Sequence, residues 1–334
     1  MVAKIGNIFD AKIEKQKLVE WIRNTVFKTL KKRGAVVGVS GGIDSAVVAA
    51  LAVEALGKNR LLALALPEKE SSPESLELAH ELVTGLGVPL IVEDITAGLE
   101  GMGAYRRRDE AVKAVFPAYR VNHDRFKIVL QSNPLSNNWL NLFKLTLIQG
   151  KEEQSLRLPL NEYLQIVAAS NMKQRLRMVT LYYHAERKNY AVVGTGNKNE
   201  HCLGFFVKYG DGGTDLKPIA HLYKTEVYEL AKILPIPTSI QQRQPTTDTY
   251  PAEVSQEEFF FRLPFSMMDA IWRANENGES VHSIANQLHL DEIQVKRIID
   301  DLKQKQRSTE YLRLPPLGHT DGNGKSARRS ERIN

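Results

Sequence analysis

The chain has 334 residues, of which 43% are hydrophobic and 25% charged, with a net charge of +6. This is typical of a globular protein that can bury a sizeable core. No apolar run is long enough to cross a bilayer, and the first residues, MVAKIGNIFDAKIEKQK, lack the apolar centre of a signal peptide. A single cysteine, Cys202, excludes internal disulfides and thiolate metal clusters. These features predict a cytoplasmic protein.

The excess of basic residues has two interpretations. It fits a mildly basic soluble protein, and it also fits a protein that binds a nucleotide or a nucleic acid. The basic residues are scattered, and only the runs 31–33, 106–108 and 328–329 form clusters. No basic stripe interleaved with aromatic residues is present, so nucleic acid is not the favoured partner.

The N-terminal third alternates between apolar runs and amphipathic segments. Apolar residues at Leu18, Ile22, Val26 and Leu30 predict a helix that ends at Gly34. Strands are then predicted over 35–39, 61–67 and 88–95, with helices over 44–56 and 73–86. This alternation predicts an α/β fold, a doubly wound parallel sheet with helices on both faces.

Residues 97–160 interrupt the alternation. They contain RRRDE, the asparagine-rich SNPLSNNW and two β-like runs around a Gly-Lys turn, and we interpret them as an insertion or small subdomain. Beyond them the pattern predicts a long helix, a fourth core strand, a glycine-rich loop and a further helix, over 161–187, 190–195, 204–218 and 225–233.

The C-terminal part is predicted to be a helical region over 255–317, outside a main domain of residues 1–254. Within it, VHSIANQLHLDEIQVKRIIDDLKQ has the spacing of a helix-turn-helix, but two packed helices are the favoured interpretation because helical hairpins are common. Residues 318–334 have almost no apolar side chains and are predicted to form a disordered basic tail.

The segment SGGIDS, residues 40–45, follows the first predicted strand and leads into a helix. Free backbone N–H groups at the helix start, the positive end of its dipole and two adjacent glycines together form an anion cradle. The hydroxyls of Ser40 and Ser45 add donors. Asp44 would repel a bare phosphate, so we expect Mg²⁺ between them. The alternative is a tight turn with a helix-capping aspartate.

SGGIDS resembles the signature of the ATP pyrophosphatase group, whose members cleave ATP between its α and β phosphates. Three other segments resemble motifs of the ammonia-dependent NAD synthetases: NMKQRLRMVTLYYHAE, GTGNKNEHCLGFFVKYGDGGTDLKPIAHLYKTEV and QPTTD, which begin at residues 171, 194 and 244. The resemblance covers residues 11–95 and 161 to about 270. It implies a Rossmann-like fold of the adenine nucleotide α-hydrolase type.

The resemblance also implies a two-step reaction. The nicotinate carboxylate of deamido-NAD attacks the α-phosphate of ATP and pyrophosphate leaves, after which ammonia displaces AMP and forms the amide of NAD. ATP is then a co-substrate, Mg²⁺ is the cofactor, and the protein is a homodimer. Free ammonia is the simplest nitrogen donor because the chain contains no glutaminase segment, and a separate glutaminase subunit is the alternative.

The resemblance implies that the family's site residues correspond to matching positions in this sequence. The ATP contacts are Ser40, Gly41, Gly42, Asp44, Ser45, Thr195, Lys224 and Thr246. Asp44 and Glu200 match the Mg²⁺ ligands, and acids that follow separate strands of one parallel sheet can converge at its edge. Lys224 would neutralise phosphate charge, and the alternative is a surface lysine at the start of a helix.

The substrate contacts implied by the resemblance are Arg175, Lys208 and Asp215. A dinucleotide with two phosphates accounts for the two cations, and Asp215 could accept a hydrogen bond from a ribose. Asp211, in the turn GDGG, is the candidate that receives ammonium and takes its proton, although an Asp-Gly turn residue is an equal alternative. Asp44, Lys224 and Asp211 are therefore the predicted catalytic residues.

Two departures from the family lie on the substrate side. The segment 97–160 is longer than short members need, and the family's C-terminal His-Lys contact is replaced by STEYLRLPP, where Arg313 is the candidate substitute. A related amide-forming adenylase that acts on another carboxylate is therefore an alternative function. A nucleic-acid-binding or regulatory protein that uses the C-terminal helices is an alternative of another class.

Overall fold

The structure is a computed structural model and describes residues 9–130, 143–245, 251–252 and 255–318. The predicted ATP contact Thr246 and the predicted tail from residue 319 onward lie outside these ranges. Within them, no helix is both long enough and apolar enough to span a membrane.

The regular elements follow one another in an order close to the predicted one. They are α1 (Ala11–Asn24), β1 (Ala35–Gly38), α2 (Ile43–Leu56), β2 (Leu61–Ala65), α3 (Pro73–Leu86), β3 (Leu90–Val92), α4 (Thr96–Gly101), α5 (Ala104–Val115), β4 (Arg125–Leu130), β5 (Phe143–Gln149), β6 (Glu152–Arg157), α6 (Leu160–Glu186), β7 (Ala191–Val193), α7 (Lys198–Leu203), α8 (Lys224–Ile233), α9 (Thr238–Gln242), α10 (Phe265–Glu276), α11 (Val281–Leu288), α12 (Glu292–Ser308) and α13 (Glu310–Arg313).

The central sheet is parallel, with strand order β3-β2-β1-β7, which confirms the predicted α/β fold. Val37 on one face packs in a cluster with α1, α2, α3 and α8. Val36 on the other face packs with α4, α5 and α6. Helices therefore cover both faces, which is why the strands β1, β2 and β7 are continuous apolar runs.

The described residues of the segment predicted as an insertion form two helices and three strands. The strands form an antiparallel sheet in the order β4-β5-β6, and the predicted Gly-Lys turn joins β5 to β6, with Gly150 in a left-handed conformation at φ 64°. The two helices α4 and α5 were not predicted. Within the run RRRDE of α5, Arg108 is buried and forms a bidentate pair with Glu70.

The helices α10, α11 and α12 pack around one apolar cluster that contains Trp272, Ile284 and Ile298, as the packed-helix interpretation of this region expects. Leu203 and Tyr223, which precede residue 254, belong to the same cluster. The helical region is therefore packed directly against the segments that carry the predicted site residues.

Candidate active site

The loop between β1 and α2 depends on its two glycines for different reasons. Gly41 has φ 74°, and a Cβ atom there would lie 2.6 Å from the carbonyl oxygen of Ser75. Gly42 is the N-cap of α2 and supplies no side chain to cap it. The first-turn N–H groups of α2 are therefore left facing the loop, as a phosphate cradle requires.

The two loop serines differ in what their hydroxyls can do. Ser45 is buried and donates its hydroxyl to the carbonyl of Gly42 at 2.9 Å, so it stabilises the loop from within. Ser40 is exposed, with its Oγ 3.3 Å from that of Ser45, and it can reach a ligand. The predicted ATP contacts of both serines stay predictions, although the exposed Ser40 is the better placed.

Arg243 also contacts this loop and was missed in the sequence. Its Nη2 donates to Ser75 Oγ at 3.0 Å, and its Nη1 lies 3.5 Å from the carbonyl oxygen of Gly41. It therefore adds positive charge beside the cradle. No motif at 243 signals this role, since the contact spans 202 residues of chain.

Asp44 and Lys224 meet at the carboxyl edge of the sheet. Asp44 lies in the first turn of α2, and Lys224 is the first residue of α8. The Lys224 ammonium donates to Asp44 Oδ2, and Asn197 Nδ2 donates to Asp44 Oδ1 at 3.0 Å. Lys224 has only 1% of its side chain exposed, so it is not the surface lysine of the alternative interpretation.

Glu200 lies in α7, close to the same pair. Asn197 caps this helix with a reciprocal pair of bonds: its side chain accepts the Glu200 N–H at 3.0 Å, and its own N–H donates to Glu200 Oε2 at 3.1 Å. Asn197 thus contacts both predicted metal ligands. Its spacing to Glu200, N-x-x-E, is a capping signal that could have identified it from the sequence.

The charges at this edge affect one another. Burial and the neighbouring Asp44 carboxylate raise the pKa of Glu200 to about 8. Burial opposes the charged form of Lys224, but the Asp44 and Glu200 carboxylates outweigh it and raise the pKa of the ammonium. The described residues contain no cluster of three or more metal-ligating side chains.

Thr195 lies two residues after the end of β7, which is the parallel neighbour of β1. The loops after adjacent parallel strands meet at the same edge of a sheet, so Thr195 lies on the side of the sheet that carries the SGGIDS loop. Its role as an ATP contact stays a prediction.

Asp211 has the turn role of its alternative interpretation, and its catalytic role stays a prediction. Its Oδ1 accepts the N–H of Val207 at 2.8 Å, which closes the turn. The residue is nevertheless exposed to solvent. Surrounding protein atoms raise the pKa of its carboxyl to about 6, against the opposing effect of the Val207 N–H.

Asp215 is predicted to contact the substrate, but both of its carboxylate oxygens accept hydrogen bonds from the protein. Its Oδ1 accepts the hydroxyl of Tyr182 at 3.0 Å, and its Oδ2 accepts the N–H of Val192 at 2.8 Å. These bonds attach the glycine-rich loop to α6 and β7. The geometry supports a structural role for Asp215, and its substrate contact stays a prediction.

Arg175 and Lys208, the other two predicted substrate contacts, lie together. The Arg175 guanidinium is exposed, and its Nε is 3.4 Å from the carbonyl oxygen of Lys208. The Lys208 ammonium donates to the carbonyls of Tyr311 and Leu314, at 2.8 and 2.9 Å. Arg175 thus contacts the backbone of Lys208, whose ammonium binds the C-terminal segment.

Arg313, the candidate substitute for the family's C-terminal contact, points into the protein instead. Its Nη1 donates to the carbonyls of His201 and Cys202, at 3.2 and 2.9 Å. These carbonyls are at the C-terminal end of α7. Arg313 therefore holds the C-terminal segment against the helix that carries Glu200.

The parallel sheet with its glycine-containing loop, and the lysine and carboxylates gathered at its carboxyl edge, define an α/β protein of the Rossmann-like adenine nucleotide α-hydrolase type. The NAD synthase family model matches residues 14–119 and 146–315. The chain belongs to the NAD synthase family. Residues 120–145, inside the predicted insertion, are not matched.

Curated relatives agree with this assignment. The NH(3)-dependent NAD(+) synthetase of Mesorhizobium japonicum is 46% identical over 311 residues, which cover 92% of this chain and 96% of the relative. That of Rhizobium meliloti is 45% identical over 92% of this chain and 91% of the relative, and that of Thermotoga maritima is 37% identical over 80% and 88%. The predicted family, the predicted function and the predicted enzyme class, a ligase that forms a C–N bond, are confirmed.

Solved structures show the same fold. An NMN synthetase from Francisella tularensis superposes with a TM-score of 0.63 at 23% identity, covering 93% of this chain and 99% of that one. An NH3-dependent NAD synthetase from Campylobacter jejuni superposes with a TM-score of 0.61 at 23% identity, covering 93% and 100%. At this level of identity the comparison supports the fold alone.

Proposed function

We propose that the chain converts deamido-NAD, ATP and ammonia into NAD, AMP and pyrophosphate. The observation that carries this proposal is the convergence of Asp44, Lys224 and Glu200 beside the SGGIDS loop in a chain of the NAD synthase family. A carboxylate is a poor electrophile, so the amide can form only after the acid has gained a good leaving group. Adenylation supplies that group.

In the first step, an oxygen of the nicotinate carboxylate forms a bond to the α-phosphorus of ATP, and the bond between this phosphorus and the bridging oxygen breaks. Negative charge then develops on the departing pyrophosphate. The backbone N–H groups at the start of α2 bind it. Lys224, buried beside the loop, places a fixed positive charge there, where it stabilises the transition state more than the ground state.

The site also fits Mg²⁺. Asp44 and Glu200 are oxygen donors held side by side through Asn197, and Mg²⁺ is commonly bound by one or two carboxylates together with substrate phosphates. The raised pKa of Glu200 shows that the protein alone does not fully compensate the negative charge of its carboxylate. When bound, the ion would neutralise phosphate charge. Lys224 shares that task from the protein side.

The dinucleotide would bind beside the glycine-rich loop. Arg175 contacts the backbone of Lys208 there, and the two phosphates of deamido-NAD are the groups that these two cations would neutralise. Asp215 acts indirectly in this proposal, because it attaches the loop to Tyr182 and Val192. Thr195 and Thr246 are proposed as further ATP contacts.

In the second step, the ammonia nitrogen attacks the carbonyl carbon of the adenylate, the bond from this carbon to the AMP oxygen breaks, and a proton must leave the nitrogen. Asp211 is the proposed acceptor of that proton. It is accessible to solvent, and a pKa near 6 leaves it ionised, and so able to accept, at neutral pH.

A homodimer and a cytoplasmic location are further parts of the proposal. Four large apolar side chains on α6 are exposed: Leu160, Leu164, Val179 and Tyr183. Exposed apolar surface of this kind is typical of a protein interface. Light scattering on the purified protein measures the assembly, and a monomeric mass would exclude the dimer.

One assay tests the proposed reaction. Purified protein is incubated with ATP, Mg²⁺, deamido-NAD and either ammonium or glutamine, and NAD, AMP and pyrophosphate are measured. Equal amounts of all three products with ammonium support the proposal. Product from another pyridine carboxylate, such as the mononucleotide, without any from deamido-NAD would support the alternative adenylase instead. Absence of NAD with both nitrogen donors would exclude the proposed reaction.

A further inference from the structure

The helix α10 presents three charged side chains to the starts of α7 and α8. Asp269, Arg273 and Glu276 are spaced by four and then three residues, which places them on one face of the helix. All three contact residues in or next to the motif that carries Glu200 and Lys224. Sequence reasoning assigned this helix no part in the reaction.

Asp269 makes the most buried of these contacts. It is 2% exposed, and its Oδ1 accepts a bond of 2.5 Å from Asn199 Nδ2, while its Oδ2 accepts the N–H of Thr225 at 3.0 Å. Asn199 has no exposed surface, and its side chain accepts the N–H of Lys224 at 3.0 Å. We call Asp269 and Asn199, with these hydrogen bonds, the bracket. Two side chains thus satisfy two first-turn N–H groups of α8, whose positive end favours the carboxylate.

The other two residues of this face strengthen the same junction. Arg273 Nη1 is 2.9 Å from Glu226 Oε1 in α8. Glu276 Oε2 accepts bonds from Lys198 Nζ at 2.6 Å and from the hydroxyl of Tyr223 at 2.7 Å. The helix α10 is therefore bonded to both α7 and α8 within their first turns.

The bracket acts on the position of two groups of the site. Asn199 directly precedes Glu200, and the backbone N–H that it accepts belongs to Lys224 itself. Moving either helix start would move the Glu200 carboxylate or the Lys224 ammonium relative to Asp44. Catalysis by fixed charges requires such groups to be held within a fraction of an ångström.

We propose that Asp269 and Asn199 are positioning residues, which hold the Lys224 ammonium and the Glu200 carboxylate in register with the phosphate loop. The inference rests on the roles proposed above for Lys224 and Glu200. Neither positioning residue touches a substrate. Both act through the starts of α7 and α8.

A swap of the two side chains tests the bracket. Asp269→Asn brings two amides together and loses at least one hydrogen bond, because an amide nitrogen must then face an N–H. Asn199→Asp brings two buried carboxylates into contact. The double variant carries one acid and one amide again, and all three hydrogen bonds can form with the partners exchanged.

We expect each single variant to release pyrophosphate about 10- to 100-fold more slowly, as is found for side chains that orient site groups, with an unchanged KM for deamido-NAD. The double variant should regain most of the rate. Asp301→Asn is the matched control. Asp301 is also a buried carboxylate of the helical region, but it pairs with Arg262 and Lys305. The Asp301→Asn substitution should lower Tm without lowering the rate of pyrophosphate release.

Amide hydrogen exchange at Lys224 and Thr225 gives a readout that needs no activity. It should be faster in both single variants and slow again in the double variant, and unchanged in Asp301→Asn. Unchanged exchange in the single variants, or a double variant as slow in turnover as the singles, would overturn the inference. If wild-type protein makes no NAD while the exchange pattern holds, the proposed function fails and the bracket stands.

Discussion

Lys224 and Asp44 form a buried ion pair at the carboxyl edge of the sheet, with 1% and 14% of their side chains exposed. Each stands in the first turn of a helix, α8 for the lysine and α2 for the aspartate. Burial alone would favour a neutral lysine, but the raised pKa keeps its charge. A permanent positive charge is thus held beside the loop that would bind the phosphates.

Asp44→Asn should reduce pyrophosphate release by at least about 100-fold, because a charged group that acts on the transition state is lost. The variant should fold normally, but its free energy of unfolding should fall by about 3–5 kcal/mol, since Lys224 is left buried without its partner. Urea denaturation and a pyrophosphate assay measure the two effects.

The double variant Asp44→Asn, Lys224→Met is the control for that prediction. It removes the buried charge together with its partner, so it should be more stable than Asp44→Asn while remaining inactive. Pyrophosphate release at the wild-type rate from Asp44→Asn would contradict the role proposed for this carboxylate.

The adjacent glycines of the loop should respond differently to alanine. Gly41→Ala should lower the free energy of unfolding by more than about 1–2 kcal/mol, the cost of a left-handed residue alone, because its Cβ would also clash with Ser75. The affinity of the loop for ATP should also fall. Denaturation and calorimetry with ATP measure both.

Gly42→Ala is the matched comparison. Its φ is −93°, and the nearest atom to a Cβ there is Ser40 Oγ at 3.4 Å, so stability should be unchanged or rise by up to about 1 kcal/mol. ATP affinity should still fall, because the added methyl lies where the phosphates approach. Equal destabilisation by both alanines would show that the strain is not specific to Gly41.

Much of the fold was predictable because parallel strands buried on both faces are unbroken apolar runs, as Leu61–Ala65 is. The helix α5 was not, since Arg108 looks like a surface residue until its pairing with Glu70 is known. Asp44 and Lys224 could be named from their motifs. Their direct contact, and the bracket from Asp269, could not be predicted, because no local pattern records which helix starts meet in three dimensions.

Lys208→Met should raise the KM for deamido-NAD about 10- to 100-fold, since a charge-assisted hydrogen bond contributes about 1.5–3 kcal/mol. The KM for ATP and the kcat should not change. Steady-state kinetics with each substrate varied in turn give these values. The fold should survive, because the lysine donates only to two carbonyls of the C-terminal segment.

Lys232→Met is the control for the loss of a positive charge. Lys232 is exposed and pairs with Glu229 in the last turns of α8, so all kinetic constants should be as in wild type. If Lys208→Met raised the KM for ATP as much as the KM for deamido-NAD, the proposed contact of Lys208 with deamido-NAD alone would be wrong.

The pH dependence of amide formation should follow Asp211. The surrounding protein atoms raise its pKa to about 6, so the rate of the ammonia step should fall as pH drops through 6 and the carboxylate becomes protonated. In Asp211→Asn the rate should be low and independent of pH over this range. Pyrophosphate release in the absence of ammonium, which does not need the base, is the internal control.

The same shift has an effect on stability with a definite sign. Because the folded-state pKa is above the unfolded value of 3.8, the stabilisation from Asp211 is fully present below that value and is lost as pH rises through about 6. The free energy of unfolding of Asp211→Asn should therefore increase relative to wild type between pH 4 and pH 7. A constant difference across that range would contradict the raised pKa.

Two contacts of the site join distant parts of the chain: β1 pairs with β7, and Asp44 contacts Lys224, which lies 180 residues further along. This has a consequence for synthesis of the protein on the ribosome. The phosphate loop leaves the ribosome early, but its lysine and Glu200 follow only after most of the chain, and α10 later still. Contacts of such long sequence separation form slowly and late. The nascent chain therefore cannot consume ATP before α7, α8 and α10 have been synthesised.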